Sequence, residues 1–237
     1  MFKNLGDKLT EKIGEIGDSI KDAIKTQSTP LDLSKFNNPI AEQTEWTPLK
    51  PGGSNFRTHE FSKKTGMAYF KATKGNLLFS GAFMFLGTVV PVLMLVSTVR
   101  NGSTFEPLLL VMNMVPLVFF FAGFFLYKHS TKPIIFSKTR GYFWKGRLKE
   151  NESPEQKGLK EYCRLTDIVA LQIIAEHISG SSSSSGSSQS YRSYEINLVL
   201  RDAGRLNVID HGRKIKLLED AEKLASYLGV PVWLGRI

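Results

Sequence analysis

Two long uncharged stretches constrain this chain more than any other feature of its sequence. Leu77–Val99 has 23 residues and Leu108–Tyr127 has 20, and neither contains Asp, Glu, Lys or Arg. At 1.5 Å of rise per residue, a helix of either length reaches across a hydrocarbon core of about 30 Å. Both stretches are apolar all round, whereas a helix in a soluble core usually keeps a polar stripe. The pattern predicts two membrane spans that form a helical hairpin over residues 77–127.

The positive charges lie mainly on both sides of this hairpin. The formal net charge is +9, whereas the connection between the spans carries one Arg and one Glu and is neutral. Under the positive-inside rule, both termini are predicted to be cytoplasmic, in a multi-pass protein of the cytoplasmic (inner) membrane. The predicted first partner is therefore a bilayer with an anionic cytoplasmic leaflet. The basic residues predicted to face it are Lys128, Lys132, Lys138, Arg140, Lys145 and Arg147.

Three residues inside the spans depart from plain hydrophobicity. Pro91 and Pro116 lie near the middle of their spans, where each removes a backbone donor and favours a kink. Asn113 can hydrogen-bond across the hairpin, to another subunit or within its own helix. The spans offer no charged side chain to relay protons or coordinate an ion. A homo-oligomeric channel or an accessory subunit of a channel or transporter is one alternative consistent with these residues.

An amphipathic helix is predicted over residues 1–27. Its apolar positions recur with a mean step close to the helical period, and acidic and basic residues alternate on the other face. It can lie on a membrane interface, on a partner or a second copy of the chain, or on the protein's own domain. The balanced polar face favours protein contact over lipid. The predicted partner face comprises Phe2, Leu5, Leu9, Ile13, Ile16, Ile20 and Ile24.

Residues 28–76 contain several Pro residues and a Gly-Gly pair, and they are predicted to be a linker. After the second span, residues 128–237 change to short β-type runs: PIIFS, then YFW after a turn, then a long apolar run, a Ser-rich loop over 179–190 and two further strands. A helix that ends at Gly229 closes the series. This order predicts an α+β, mainly-β cytoplasmic domain in which a curved antiparallel sheet is closed by a C-terminal helix.

The runs PIIFSKTRGYFWKG, LTDIVALQII, YEINLVLRDAGRLNVI and DAEKLASYLGVPVW resemble bacterial pleckstrin-homology-like (PH-like) domains attached to paired membrane spans. The layout is also loosely similar to that of the photosystem I assembly proteins. This resemblance implies a PH-like fold for the cytoplasmic domain, and a role in assembling or docking membrane proteins rather than in catalysis.

The sequence contains little that predicts chemistry. The four His residues are scattered, Cys163 is the only cysteine, and HExxH, CxxC, P-loop and GxSxG motifs are missing. We therefore expect no catalytic residues, metal site or cofactor. Nucleic acid is disfavoured, because alternation in a strand buries some of the aromatics that lie among the basic residues.

The leading hypothesis is a non-enzymatic integral membrane scaffold, or assembly adaptor, that docks a membrane-protein partner or a second copy of itself. The docking elements are the PH-like domain and the N-terminal helix. The alternative from another class is a regulatory membrane protein that senses anionic lipid.

Overall fold

A computed structural model of the chain describes residues 31–101, 107–179 and 190–237, with side chains left undescribed at 107–113 and 179. The chain divides into two units, Met1–Glu42 and Gln43–Ile237. The described part of the first unit has a 3-10 turn, Ser34–Phe36, and most of a short helix α1, Pro39–Gln43. The predicted amphipathic helix, 1–27, lies outside the described residues, as does most of the predicted Ser-rich loop, 180–189.

Two long apolar helices form a hairpin in the second unit. Helix α2 spans Lys74–Arg100. It is capped by Thr73, whose side chain accepts a hydrogen bond from the backbone amide of Asn76. Helix α3 spans Pro107–Ser130. By length and composition α2 can cross a membrane, whereas Met114–Ser130, the part of α3 with described side chains, is apolar but shorter. The first predicted span therefore has a helix of sufficient length, and the second stays a prediction.

Glycines bring the two helices into close contact. A Cβ added to Gly123 would lie 2.7 Å from the Met84 amide nitrogen, and one added to Gly87 would collide with the backbone of Phe120. Gly81 has open space beside it. Gly87 and Gly123 thus allow the helix backbones to approach each other, as small residues do in tightly packed membrane helices.

The first sheet is antiparallel and has five strands in sequential order, formed by chain on both sides of the hairpin. Its strands are β1 (His59–Lys64), β2 (Met67–Ala72), β3 (Ile134–Ser137), β4 (Tyr142–Lys145) and β5 (Tyr162–Arg164). Strands β2 and β3 are neighbours, with Met67 opposite Ser137 and Phe70 opposite Ile134. The helical hairpin is therefore an insertion between two adjacent strands of one sheet.

The second sheet has the strand order β8-β7-β6-β9. Strands β6 (Ile168–Ser179), β7 (Ser190–Leu200) and β8 (Arg205–His211) are antiparallel, and β9 (Val232–Leu234) lies parallel to β6. Helix α4, Lys214–Leu228, ends at Gly229, which has a positive φ of 75°. The prediction of β-structure closed by a C-terminal amphipathic helix is confirmed, although we expected one sheet and the structure has two.

The core lies where the two sheets and α4 present their apolar faces. Strands of the first sheet contribute Phe136 and Phe143, β7 contributes Ile196, and α4 contributes Leu217 and Leu224. All five are fully buried. The β-hairpin His59–Ala72 lies within residues 28–76, which we predicted to be a linker, and its Phe61 and Phe70 join this core. The prediction of a linker is wrong for this segment, because the β-hairpin contributes side chains to the core.

Residues 45–56 form an irregular segment with several bends, here called the strap, which is bound by side chains of the second sheet. Glu195 accepts hydrogen bonds from the amides of Leu49 (2.7 Å) and Lys50 (3.2 Å), and Gln172 donates to the Glu45 carbonyl at 2.8 Å. The polar face of β7 is thereby covered, so Glu195 is 3% exposed although the opposite face of the strand forms the core.

Candidate functional site

The site begins where the helical hairpin joins the first sheet. Asn76, in the first turn of α2, donates to Ser130 Oγ at 3.0 Å and to the Thr58 carbonyl at 3.1 Å. The Nε2 atom of His59 lies 3.2 Å from the Ser130 carbonyl oxygen. The base of both helices is therefore hydrogen-bonded to β1 and to the residue before it.

A cavity of about 420 Å³ lies beside this base. The hairpin contributes Phe79 and Leu126 to its wall, β8 contributes Asp210, and the strap contributes Lys50. We call it the junction cavity, because its walls come from the hairpin, both sheets and the strap.

Three lysines from separate parts of the chain meet at one carboxylate in the junction cavity. Glu161 lies 2.6 Å from Lys132 Nζ, 3.2 Å from Lys50 Nζ and 3.4 Å from Lys145 Nζ. Lys145 also donates to the side-chain oxygen of Asn207 at 3.2 Å. Lys50 and Lys132 are half-exposed, whereas Lys145 is 7% exposed. Positive charge is thus concentrated at a partly enclosed place.

The ionisation of this cluster follows from burial and from mutual attraction. Burial lowers the pKa of Lys145 to about 8, against the attraction of Glu161, which raises it. Burial alone would raise the pKa of Glu161, but the hydrogen bond from Lys132 and the charges of Lys145 and Lys50 lower it to about 2. Around neutral pH the Glu161 carboxylate is therefore charged, and Lys145 is mostly charged.

His59 and Asp210 are two further titratable residues on the cavity wall. Burial lowers the pKa of His59 to about 4, so this imidazole is neutral near pH 7. Burial raises the pKa of Asp210, although the charges of Lys145 and Lys50 act in the opposite direction. Three lysines, Lys50, Lys132 and Lys145, line the cavity together with two acidic residues, Glu161 and Asp210.

The structure separates the predicted basic residues into two groups. Lys132 and Lys145 line the junction cavity. The others lie elsewhere: Lys128 over the ring of Phe124, Lys138 over that of Tyr227, Arg140 over that of Trp144, and Arg147 exposed. Lys145 does not belong to an exposed basic face, because the direction of its side chain from β4 brings its ammonium to Glu161 and Asn207.

The guanidinium of Arg140 has a structural role in addition to its ring contact. It donates to the backbone carbonyls of Lys149 (2.8 Å), Glu150 and Glu152, so it holds the loop that follows β4. These bonds direct the donors of Arg140 to the protein's own backbone. This residue is therefore less available to a membrane surface than its position in the sequence indicated.

The remaining predicted residues have mixed outcomes. Pro91 and Pro116 each lie inside a helix that continues on both sides of the proline. Asn113 lies in α3, and its side chain is outside the described part of the chain. Cys163 is buried, and burial raises the pKa of its thiol to about 12, which disfavours a reactive thiolate.

Sequence analysis missed Lys50, Glu161 and Asn207 as site residues. Lys50 lies in the predicted linker, Glu161 in a polar loop and Asn207 in an apolar strand, and none belongs to a recognisable motif. The only local signal was Asn207 as a polar residue between the apolar Leu206 and Val208. Their convergence depends on pairing between distant segments.

Comparison with known proteins found no match: no family model, curated protein or solved structure is similar to this chain. Within residues 31–101, 107–179 and 190–237, no three His, Cys, Asp or Glu side chains group in a way that could hold a metal ion.

Proposed function

We propose that this protein is a non-enzymatic scaffold or assembly adaptor of the cytoplasmic membrane. In this proposal α2 and α3 are a transmembrane hairpin, both termini are cytoplasmic, and the two-sheet unit is a PH-like domain that docks a membrane-protein partner together with the N-terminal amphipathic helix. The uncharged character of both stretches and the positive charge beside them support this topology.

One observation carries the proposal: the hairpin is inserted between β2 and β3, which are hydrogen-bonded neighbours. A domain on a single flexible linker can rotate freely over the membrane. Here both ends of the hairpin are connected to neighbouring strands of one sheet. Asn76 donates a hydrogen bond to Ser130 where the two helices meet that sheet. This construction suits a protein that presents a docking surface at a fixed height and orientation.

Topology is the first test. A reporter fused after Ile237 and another inserted at Gly102 should report opposite sides of the membrane, and the full-length protein should stay in membranes after an alkaline carbonate wash. Reporters on the same side would contradict the paired spans. Release of the protein by the wash would contradict membrane integration.

Docking is the second test. Replacing Leu9, Ile13 and Ile16 together with Asp should lower the yield of proteins cross-linked to the full chain, without releasing it from membranes. Replacing the polar-face residues Lys8, Lys12 and Glu15 with Gln is the matched control. Equal cross-linking by both variants and the wild type would contradict a docking role for the N-terminal helix.

Sensing of anionic lipid is a second candidate function, and the three lysines of the junction cavity are the observation that favours it. In that case the ligand changes the state of the domain rather than adding to its anchoring. Anionic lipid should then change the partner cross-linking yield of the wild-type protein, whereas a pure scaffold should be insensitive to lipid charge.

A further inference from the structure

We propose that the junction cavity binds the phosphate group of an anionic membrane lipid, with Lys50, Lys132 and Lys145 as its donors. The inference rests on the proposed function to the extent that it needs the hairpin to lie in a bilayer. It adds a specific ligand site, in place of the general basic face predicted from the sequence.

Hydrogen-bond capacity is the first argument. Each ammonium has three N–H donors, whereas the acceptor atoms that the three lysines contact, the Glu161 carboxylate and the Asn207 side-chain oxygen, number three in total. Donors therefore exceed the acceptors contacted in the described part of the cavity. A phosphate group supplies several strong acceptor oxygens and can bond to more than one ammonium at a time.

Charge is the second argument. Lys50, Lys132 and Lys145 face Glu161, and Asp210 is a second acidic residue on the cavity wall. Lys145 lies where burial opposes its charge, and a second anion beside it would offset that cost. The cluster is thus able to accept one further negative charge without inverting its own.

The wall of the cavity favours a lipid over a free phosphate ion. Phe79, in an early turn of α2, is 46% exposed, and Leu126, near the end of α3, is 40% exposed. Both belong to apolar helices and line the same cavity as the lysines. A ligand with a charged end and an apolar end can contact both parts, whereas inorganic phosphate uses only the lysines.

The test uses the full-length protein in detergent micelles, with native mass spectrometry as the measure of bound lipid. Phosphatidylglycerol, phosphatidylcholine and inorganic phosphate are titrated separately. We expect phosphatidylglycerol to bind more tightly than phosphatidylcholine, and inorganic phosphate to bind more weakly than phosphatidylglycerol. The double variant Lys50→Gln/Lys132→Gln should lose about 30-fold in affinity for phosphatidylglycerol, which corresponds to about 1 kcal/mol for each lysine.

A matched control separates the site from general surface charge. The double variant Lys64→Gln/Lys74→Gln removes the same charge from exposed positions that do not line the cavity. Its affinity should stay close to that of the wild type. A third variant, Glu161→Gln, removes the competing carboxylate and should bind phosphatidylglycerol more tightly, a gain that a folding defect does not produce.

Three results would overturn the proposal: equal losses in the two double variants, equal affinity for the two lipids, or inorganic phosphate that binds as tightly as phosphatidylglycerol. The last result would assign the cavity to a soluble anion. Failure of the proposed function is seen separately, because it is measured by carbonate extraction and by the topology reporters.

Discussion

Asn76 Nδ2 donates a hydrogen bond of 3.0 Å to Ser130 Oγ, and this bond joins the first turn of α2 to the last residue of α3. Both side chains are 7% exposed. Asn76 donates also to the Thr58 carbonyl, so a single amide group connects both helices to the start of the first sheet. The orientation of the hairpin relative to the sheets depends strongly on this residue.

Replacing Asn76 with Ala should therefore lower the free energy of unfolding by about 1–3 kcal/mol, because it removes two hydrogen bonds at a buried position and leaves Ser130 Oγ without this donor. Chemical denaturation in micelles, followed by tryptophan fluorescence, measures the change. Asn101→Ala is the control, since the Asn101 side chain donates to Ser97 Oγ at 3.4 Å at an exposed position, at the opposite end of α2. Equal effects of the two substitutions would contradict the role given to Asn76.

Close packing in the hairpin gives a second prediction. Gly87→Val should destabilise the hairpin by about 1–3 kcal/mol, because its new side chain would meet the Phe120 backbone, which cannot move as a flexible side chain can. The separation of the helices can be measured by disulfide cross-linking between cysteines introduced on α2 and α3.

Gly81→Val is the matched control, since a Cβ at Gly81 meets no atom within 4 Å. It should cross-link as the parent does, whereas the Gly87 variant should cross-link more slowly. If the Gly87 variant cross-links as fast as the control, this result would contradict the close approach of α2 and α3 at Gly87.

Acid stability should depend on two buried histidines. Burial lowers the pKa of both His59 and His211 to about 4, from an ordinary value of 6.5. Between these values the unfolded chain binds protons that the folded chain does not, so the free energy of unfolding rises with pH from about 4 to about 6.5. Asp210, whose pKa burial raises, acts in the opposite sense.

The measurement is the midpoint of urea unfolding between pH 5 and pH 7, a range chosen above the ordinary carboxylate values of about 4. His211→Asn should make the dependence on pH shallower. His177→Gln is the control, because His177 is exposed on β6. An unchanged slope in the His211 variant would contradict the assignment.

The ion pair between α4 and the segment before β1 gives a fourth prediction. Arg57 lies 2.7 Å from Asp220, which is 1% exposed and also accepts from the Phe61 amide at 3.3 Å. Asp220→Asn should lower the free energy of unfolding by about 3 kcal/mol, since it removes the nearer and more buried of the two carboxylates beside Arg57, the other being that of Glu60 at 3.7 Å. Thermal unfolding measures the loss.

The neighbouring residue on α4 offers the control for that variant. Glu219 pairs with Lys216 at 2.8 Å, but both side chains are exposed. Glu219→Gln should therefore change the free energy of unfolding much less than Asp220→Asn does. Equal stability of the two variants would contradict the view that burial of the Arg57–Asp220 pair determines its contribution to the free energy of unfolding.

The elements predicted well are those with local signals. The β3–β4 turn was indicated by its own residues, and α4 by its apolar spacing and by Gly229 at its end. The β1–β2 hairpin was missed, because the Pro residues and the Gly-Gly pair of residues 28–76 indicated a linker. Glu195 alternates with the buried Tyr194 and Ile196 along β7, and its own burial involves the strap, which is distant in sequence.

The functional site was only partly predictable for the same reason. Lys132 and Lys145 were identified as basic residues near the membrane, but their shared partner, Glu161, comes from a polar loop. Lys50 reaches the same carboxylate across more than a hundred residues of sequence. Such a cluster depends on the final arrangement of strands, which spacing along the chain does not reveal.

The insertion of the hairpin between β2 and β3 also determines an order of events during synthesis. Met67 pairs with Ser137, so the first sheet cannot close until the ribosome has made both helices and the strand that follows them. Until then β1 and β2 form an isolated two-stranded ribbon, which is marginally stable in water. If the hairpin enters a bilayer, as proposed, then maturation of the two-sheet unit should wait for that insertion, and an insertion defect would appear first as a misfolded domain.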